Sequence, residues 1–221
     1  MPAKRKNANK SHITNHKLHI TNHKLHITNH KSHIIIPDGC NKVLLHACCA
    51  PCSSAIVEWL LANSITPVIY YYNPNIFPQE EYEIRKAESK RHAESLGIEW
   101  LDDDWRHEEW LTACSALKDE PERGKRCGLC FYHRLLATAR KAKELRIPFF
   151  ATTLASSRWK SIEQVNAAGL QAAVEIGDVT FWAQNWRKDG LQDRRNELLK
   201  EYNFYNQRYC GCEFSQRKEN P

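Results

Sequence analysis

From Lys42 onward, two periods of apolar residues alternate along the chain. Short runs have the length and the β-branched or aromatic content of buried strands. They are Val43-Leu-Leu-His-Ala47, Pro67-Val-Ile-Tyr-Tyr-Tyr72, Ile98-Glu-Trp-Leu101, Pro148-Phe-Phe-Ala-Thr-Thr153 and residues 179–183. Longer stretches with helical spacing separate them, over residues 53–63, 79–95, 130–145, 161–176 and 189–202. Pro51 opens the first of these, Gly97 follows the second, and Asn73-Pro74-Asn75 reads as a turn. Strands alternating with helices predict an α/β domain on a parallel sheet flanked by helices. Such sheets bind ligands beyond the carboxyl ends of their strands. Cys48–Cys52 follows the first strand and so falls at that edge.

The first 39 residues break the pattern. Residues 12–32 hold three copies of a seven-residue unit, His12-Ile-Thr-Asn-His-Lys-Leu18 and two repeats of it, the last ending in Ser32. With His33, this stretch carries seven of the eleven histidines. A His-rich metal tract and a heptad helix are two readings. Each copy has at most two apolar positions and always an Asn and a Thr, which cannot build a core. We therefore expect a disordered, basic, His-rich tail over residues 1–39 and a single α/β domain over residues 40–221.

The charge follows the same division. The tail has seven Lys/Arg against one acid, which accounts for the whole formal charge of +6. The other 25 bases meet 25 acids, so any nucleic-acid surface on the folded part is a local patch. No apolar run reaches the roughly 18 residues of a membrane span. The basic N-terminus lacks the apolar core of a secretory signal. A reducing, cytoplasmic setting is the expectation, and there clustered cysteines are metal ligands or catalytic thiols.

Seven of the nine cysteines form three strings: Cys48, Cys49 and Cys52; Cys127 and Cys130; Cys210 and Cys212. Thiolates crowded together repel unless they stay protonated or a metal neutralises them. A structural zinc takes four ligands, and so does an iron–sulfur cluster, leaving three thiols for a second metal or a redox-active pair. Cys48 and Cys49 would face opposite ways in an extended chain, which makes them awkward as ligands to a single ion. Cys49 and Cys52 sit at a helix start, where free N–H groups and the dipole lower a thiol pKa. Cys40 and Cys114 stand apart as a loop thiol and a helix thiol. No Gly-x-Gly-x-x-Gly or Walker motif occupies the first strand–helix turn.

The surroundings of these strings resemble the QueH family of epoxyqueuosine reductases over about residues 42–215. The matching text is Leu44-Leu-His-Ala-Cys-Cys-Ala-Pro-Cys-Ser53, Tyr72-Asn-Pro-Asn-Ile76 with Glu81, Tyr82 and Arg85, and Glu122 with Arg126-Cys-Gly-Leu-Cys-Phe131 and Arg134-Leu135. It continues with Thr152-Thr-Leu154, Lys160-Ser161, and Tyr209-Cys-Gly-Cys212 with Phe214-Ser215. Asn206 stands where the family usually has arginine before Gln207. The resemblance implies a Rossmann-like fold of the adenine-nucleotide α-hydrolase type without its phosphate loop. It also implies two-electron removal of the epoxide oxygen of epoxyqueuosine in a tRNA anticodon loop, fed by an external electron donor. A 4Fe-4S cluster with an additional iron is the expected cofactor.

On this reading all seven clustered cysteines are metal ligands, and Cys49 and Cys52 are the reactive pair. Substrate-binding candidates are Tyr72, Asn73, Asn75, Lys160, Arg208 and Tyr209, with Trp159 and Trp186 as further stacking surfaces. Arg158, Arg187, Lys188, Arg194 and Arg195 are added as phosphate contacts. Proton donors would come from His46, Tyr72, Glu80, Glu81 or residues 102–104, although His46 also reads as a hydrogen-bonded strand residue. The rival from another class is a zinc-stabilised RNA-binding module without catalysis.

Overall fold

A computed structural model describes residues 33–215. Five parallel strands lie in the order β3-β2-β1-β4-β5. They are β1 (Lys42–His46), β2 (Thr66–Tyr71), β3 (Trp100–Asp102), β4 (Phe149–Thr152) and β5 (Thr180–Phe181). The connecting helices are α1 (Ala50–Ala62), α2 (Gln79–Ser95), α3 (His107–Cys114), α4 (Lys125–Glu144), α5 (Ile162–Ile176) and α6 (Leu191–Glu201). This is the expected α/β sheet flanked by helices.

The strand order explains the sequence pattern. β1 is central, pairing with β2 on one side and β4 on the other. Both of its faces are covered, so Val43, Leu44, Leu45 and His46 are all buried and no alternation survives. Each such aliphatic side chain contributes roughly 1.5–3 kcal/mol of burial. The chain leaves β1 towards β2 and only later crosses to β4, so the sheet reverses its winding between β1 and β4. A crevice opens at such a point beyond the strand ends.

Two regions differ from the expected elements. Helix α4 begins at Lys125 rather than near Cys130, because its cap is Gly124 and its first turn carries Lys125 and Arg126 instead of acids. Those residues oppose the usual helix-start signals. Helix α3 was foreshadowed only by the reading of Cys114 as a helix thiol; it is short, with Glu108 and Glu109 in its first turn and Trp110 and Cys114 buried.

The folded unit also starts before the expected boundary. Ile34 is buried, the His33 and Ile34 N–H groups donate to the Asp189 carboxylate, and the Trp182 indole donates to the Ile35 carbonyl at 2.9 Å. Residues 1–32 of the expected disordered tail lie outside the described residues.

Two expected RNA contacts belong to the core instead. Trp186 is buried between Trp59 and Trp182, with ring centroids 6.0 and 5.2 Å away. Although Trp186 sits in a turn, its indole packs edge-on against two others in the core and is fully buried. Arg194 is committed to a two-point pair with Glu58, at 2.8 and 2.9 Å, which ties α6 to α1.

Candidate metal centre

The chain bends at Cys48, and Cys49 is the extended residue that precedes α1. Pro51 then fixes φ in the first turn, and Cys52 stands within that turn. The bend cancels the alternation of an extended segment. The Cys48 and Cys49 sulfurs lie 3.8 Å apart, and the sulfurs of Cys48, Cys49 and Cys52 all fall within 4.8 Å of one another. This corrects the expectation that the adjacent pair is awkward for a single ion. Two thiolates at about 2.3 Å from a tetrahedral metal stand about 3.8 Å apart. The three residues are buried, and their soft sulfur donors suit iron, zinc or copper(I) rather than magnesium or calcium.

Protons are unequally shared among the three. Cys48 accepts from the Cys49 and Cys52 thiols, which hold its pKa well below the usual thiol range. The same bonds keep the donors protonated: Cys49 is pushed well up, and Cys52 to about 11. The thiolate of the group is therefore Cys48, and the helix start does not by itself ionise Cys49 or Cys52. A metal bound here must displace protons from the other two, so its affinity falls on acidification.

Residues beyond β4 hold Cys48 across the crevice. Its N–H donates to Thr153 Oγ1 at 3.1 Å, and the Thr153 hydroxyl points back to the sulfur at 3.4 Å. The Ser156 hydroxyl donates to the Cys52 carbonyl at 3.4 Å. Below them, the His46 ring spans Thr152 Oγ1 at 2.8 Å and the Tyr72 carbonyl at 3.1 Å. The carbonyl can only accept, so the neutral ring donates from Nε2. Burial is the largest effect on His46 and lowers its pKa to about 3. It is satisfied, neutral and not a proton donor near pH 7.

That burial makes a pH prediction. The unfolded chain takes up a proton at His46 below about pH 6.5, and the folded chain does not until about pH 3. Stability from this group is complete above pH 6.5 and is lost as pH falls through that window, at roughly 1.4 kcal/mol per unit. Unfolding free energies from urea titrations should fall between pH 7 and pH 5 by about 2 kcal/mol more in the parent than in His46→Gln. Equal pH slopes in the two proteins would refute it.

The other four clustered cysteines gather nearby. Cys127 and Cys130 lie in the first turns of α4. Cys130 and Cys212 pack with Trp110 and Cys114, all buried, in a small separate core. Cys114 thus joins the thiols, although its spacing had set it apart. Only a helix placing 110 and 114 on one face could have revealed it. Burial pushes Cys130 and Cys127 up, and raises Cys114 and Cys212 to about 12. Cys40 is buried elsewhere in the main core, with its thiol towards the Lys42 carbonyl.

Two cations join the groups. Arg134 on α4 is buried, donates to Asn73 Oδ1, and acts electrostatically on both Cys48 and Cys130. Lys160 acts electrostatically on Cys48, Cys52 and Cys210; burial opposes its charge, but the neighbouring sulfur centre outweighs burial and keeps its ammonium protonated. Burying a guanidinium is costly without anions nearby. Among the described residues Arg134 has no carboxylate partner, so negative sulfur, as thiolate or metal–thiolate, fills that role.

Glycine is required between the last two cysteines. Gly211 has φ +103°, and a Cβ there would meet Ile76 Cγ1 at 2.9 Å and Arg85 Nη1 at 3.0 Å. Arg85 holds this segment by donating to the Cys210 and Tyr209 carbonyls, both at 3.3 Å. Its own partner is Glu81, at 2.6 Å, which also accepts from Tyr205 at 2.7 Å.

The substrate-binding candidates divide. Lys160 is tied directly to the thiols. Tyr72 is buried between the rings of Tyr70 and His133, 6.1 and 6.0 Å away. Asn73 spends its amide on the Ala47 carbonyl at 2.9 Å and on Arg134. Asn75 is buried with an unpaired Oδ1. Tyr209 donates to the Phe77 carbonyl beneath Arg85, and Arg208 is exposed. Of the acids, Asp103 accepts from Tyr70 at 2.7 Å, Asp102 pairs with Lys86, and Glu80 is exposed. No described helix is long and apolar enough to cross a membrane.

Fold and thiols together define a doubly wound α/β protein with a buried cysteine centre at the switch point of its sheet. A family model described as epoxyqueuosine reductase QueH matches residues 43–218. Proteins named epoxyqueuosine reductase QueH are 46% identical in Histophilus somni and 45% in Haemophilus influenzae, each over 84% of this chain and 76% of the relative. One in Acinetobacter baylyi is 43% identical over 84% of this chain and 85% of its own length. The chain belongs to the QueH family of epoxyqueuosine reductases.

Proposed function

We propose that this protein is an oxidoreductase that reduces epoxyqueuosine to queuosine in a tRNA anticodon loop, working in the cytoplasm with an external electron donor. The reaction takes two electrons and two protons, opens both C–O bonds of the epoxide, and releases the oxygen as water. The observation that carries the reading is the buried trio Cys48, Cys49 and Cys52 at the crevice of a chain with this family membership. A zinc-stabilised binding module needs only four thiols and leaves the trio and Lys160 without a task.

Cys48, Cys49, Cys52, Cys127, Cys130, Cys210 and Cys212 would hold a 4Fe-4S cluster and an additional iron. When bound, these groups supply one-electron transfers and an electrophilic metal at the crevice. The chain's own residues do the rest. Buried Arg134 balances the negative sulfurs. The Lys160 ammonium, held protonated beside the thiols, would supply a proton from Nζ to the departing epoxide oxygen. The walls contributed by Tyr72, Asn73 and Asn75 keep bulk water out, and Tyr209 and Arg208 flank the entrance.

The test is anaerobic purification, an iron and zinc count, and turnover with reductant and epoxyqueuosine-containing tRNA. A brown, iron-containing protein that forms queuosine is expected. A colourless protein with one zinc, or a brown one that forms no queuosine, would overturn the proposal.

A further inference from the structure

The loop that carries Lys160 turns a second face outward. Its neighbour Trp159 is 68% exposed. The other described tryptophans are buried or partly buried. An indole left in water is uncommon, because tryptophan is highly buried on average. The Arg158 guanidinium lies over the Trp159 ring, 4.9 Å from its centroid.

The exposure is not slack chain, because two arginines from other segments grip this loop by its carbonyls. Arg123 donates to the Trp159 and Arg158 carbonyls at 3.0 and 3.1 Å. Arg187 donates to the Ser157 and Lys160 carbonyls at 2.6 and 2.7 Å. Among the described residues, no carboxylate forms an ion pair with Arg123, Arg158 or Arg187. One guanidinium therefore covers the exposed ring, and two more brace its loop through backbone carbonyls. The same Arg123 donates its backbone N–H to Cys127 Sγ at 3.3 Å from a left-handed conformation, φ +67°. One residue thus ties the platform to the thiols.

A flat exposed ring beside a guanidinium that has no carboxylate ion partner among the described residues fits a nucleobase and its phosphate. Duplex RNA offers no free base face, whereas splayed loop bases stack on aromatic and arginine planes. Lys160 faces the thiols and Trp159 faces solvent from adjacent positions, so a base stacked on Trp159 would be close along the strand to one entering the crevice. We propose that Trp159, with Arg158 above it, is the stacking platform for an unpaired base flanking the modified nucleoside of the tRNA substrate. This rests on the tRNA reading above. It assigns Trp159 to positioning the substrate, apart from the redox centre.

Trp159→Ala and Trp159→Phe test it in the metal-loaded full chain, since an exposed side chain can change without unfolding the protein. Losing one stacked base weakens binding roughly 5- to 150-fold. The alanine variant should raise KM for epoxyqueuosine-containing tRNA by that factor, change kcat much less, and leave the iron count as in the parent. The phenylalanine variant should recover most of the loss. Adding an anticodon stem–loop RNA should quench parent tryptophan emission, and the phenylalanine variant should lose that quenching while still binding. If Trp159→Ala keeps KM within twofold while the parent turns over, the platform is refuted and the reaction stands. Equal weakening of a plain RNA duplex would also refute it, because no unpaired base is present. A parent that neither binds nor reduces the tRNA overturns both proposals, and the parent control alone reveals that case.

Discussion

Replacing Cys49 or Cys52 with alanine is expected to abolish epoxide reduction and remove one iron per chain, while the visible spectrum of the cluster persists. The expected loss exceeds the roughly 10–100-fold that follows from changes outside the ligand set. Both residues donate to Cys48 in the metal-free trio, and neither is the residue that carries its charge. Removing either leaves Cys48 with one thiol donor beside the Thr153 hydroxyl, and an incomplete metal edge. Cys48→Ala is expected to be harsher, since it deletes the thiolate itself. Iron counts and visible spectra after anaerobic reconstitution distinguish these variants without any assay of turnover. Disappearance of the whole cluster spectrum in both Cys49→Ala and Cys52→Ala would sink the assignment of this pair as the reactive one.

Arg85→Ala should be the most damaging change outside the cysteines. The side chain of Arg85 is 2% exposed and that of Glu81 10%, so little solvent softens the loss. Removing one member of a buried pair costs about 3–5 kcal/mol, because the remaining charge is stranded. The Tyr205 hydroxyl still serves Glu81, which argues for about 3 kcal/mol, the lower end. The Cys210 and Tyr209 carbonyls lose their donors at the same time. We expect a lower denaturant midpoint and faster alkylation of Cys210 and Cys212 in the metal-free protein. Adding Glu81→Gln should restore part of the stability but not the slow alkylation, because the carbonyl contacts stay absent. Unchanged alkylation in Arg85→Ala would show that Arg85 does not hold the segment.

The same residues show what the sequence could reveal. The strands were legible because central parallel strands must be apolar throughout, as Val43, Leu44 and Leu45 are. The position of Cys48–Cys52 at the sheet edge followed from the strand–helix alternation alone. The closeness of the three sulfurs did not, because a single bend at Cys48 decides it and no side-chain pattern encodes that bend. Cys114 was hidden for a related reason: it joins Cys130 and Cys212 through α3, a two-turn helix too short to show a period. Arg194 and Trp186 looked like RNA contacts by residue type, and Glu58 and Trp59, more than a hundred residues away, claimed both of them. Buried Arg134 was read only as part of a motif, since its partners are sulfurs on other segments.

Lys160 has one more consequence. It interacts with Cys48 and with Cys210, which are 210 − 48 = 162 positions apart in the chain. No fragment shorter than that span carries both halves of the centre, and unfolding disperses them. The centre therefore doubles as a gauge of the protein's own integrity. A chain that has lost its shape also loses the juxtaposition of its thiols, so the close set of sulfurs is present only in intact copies.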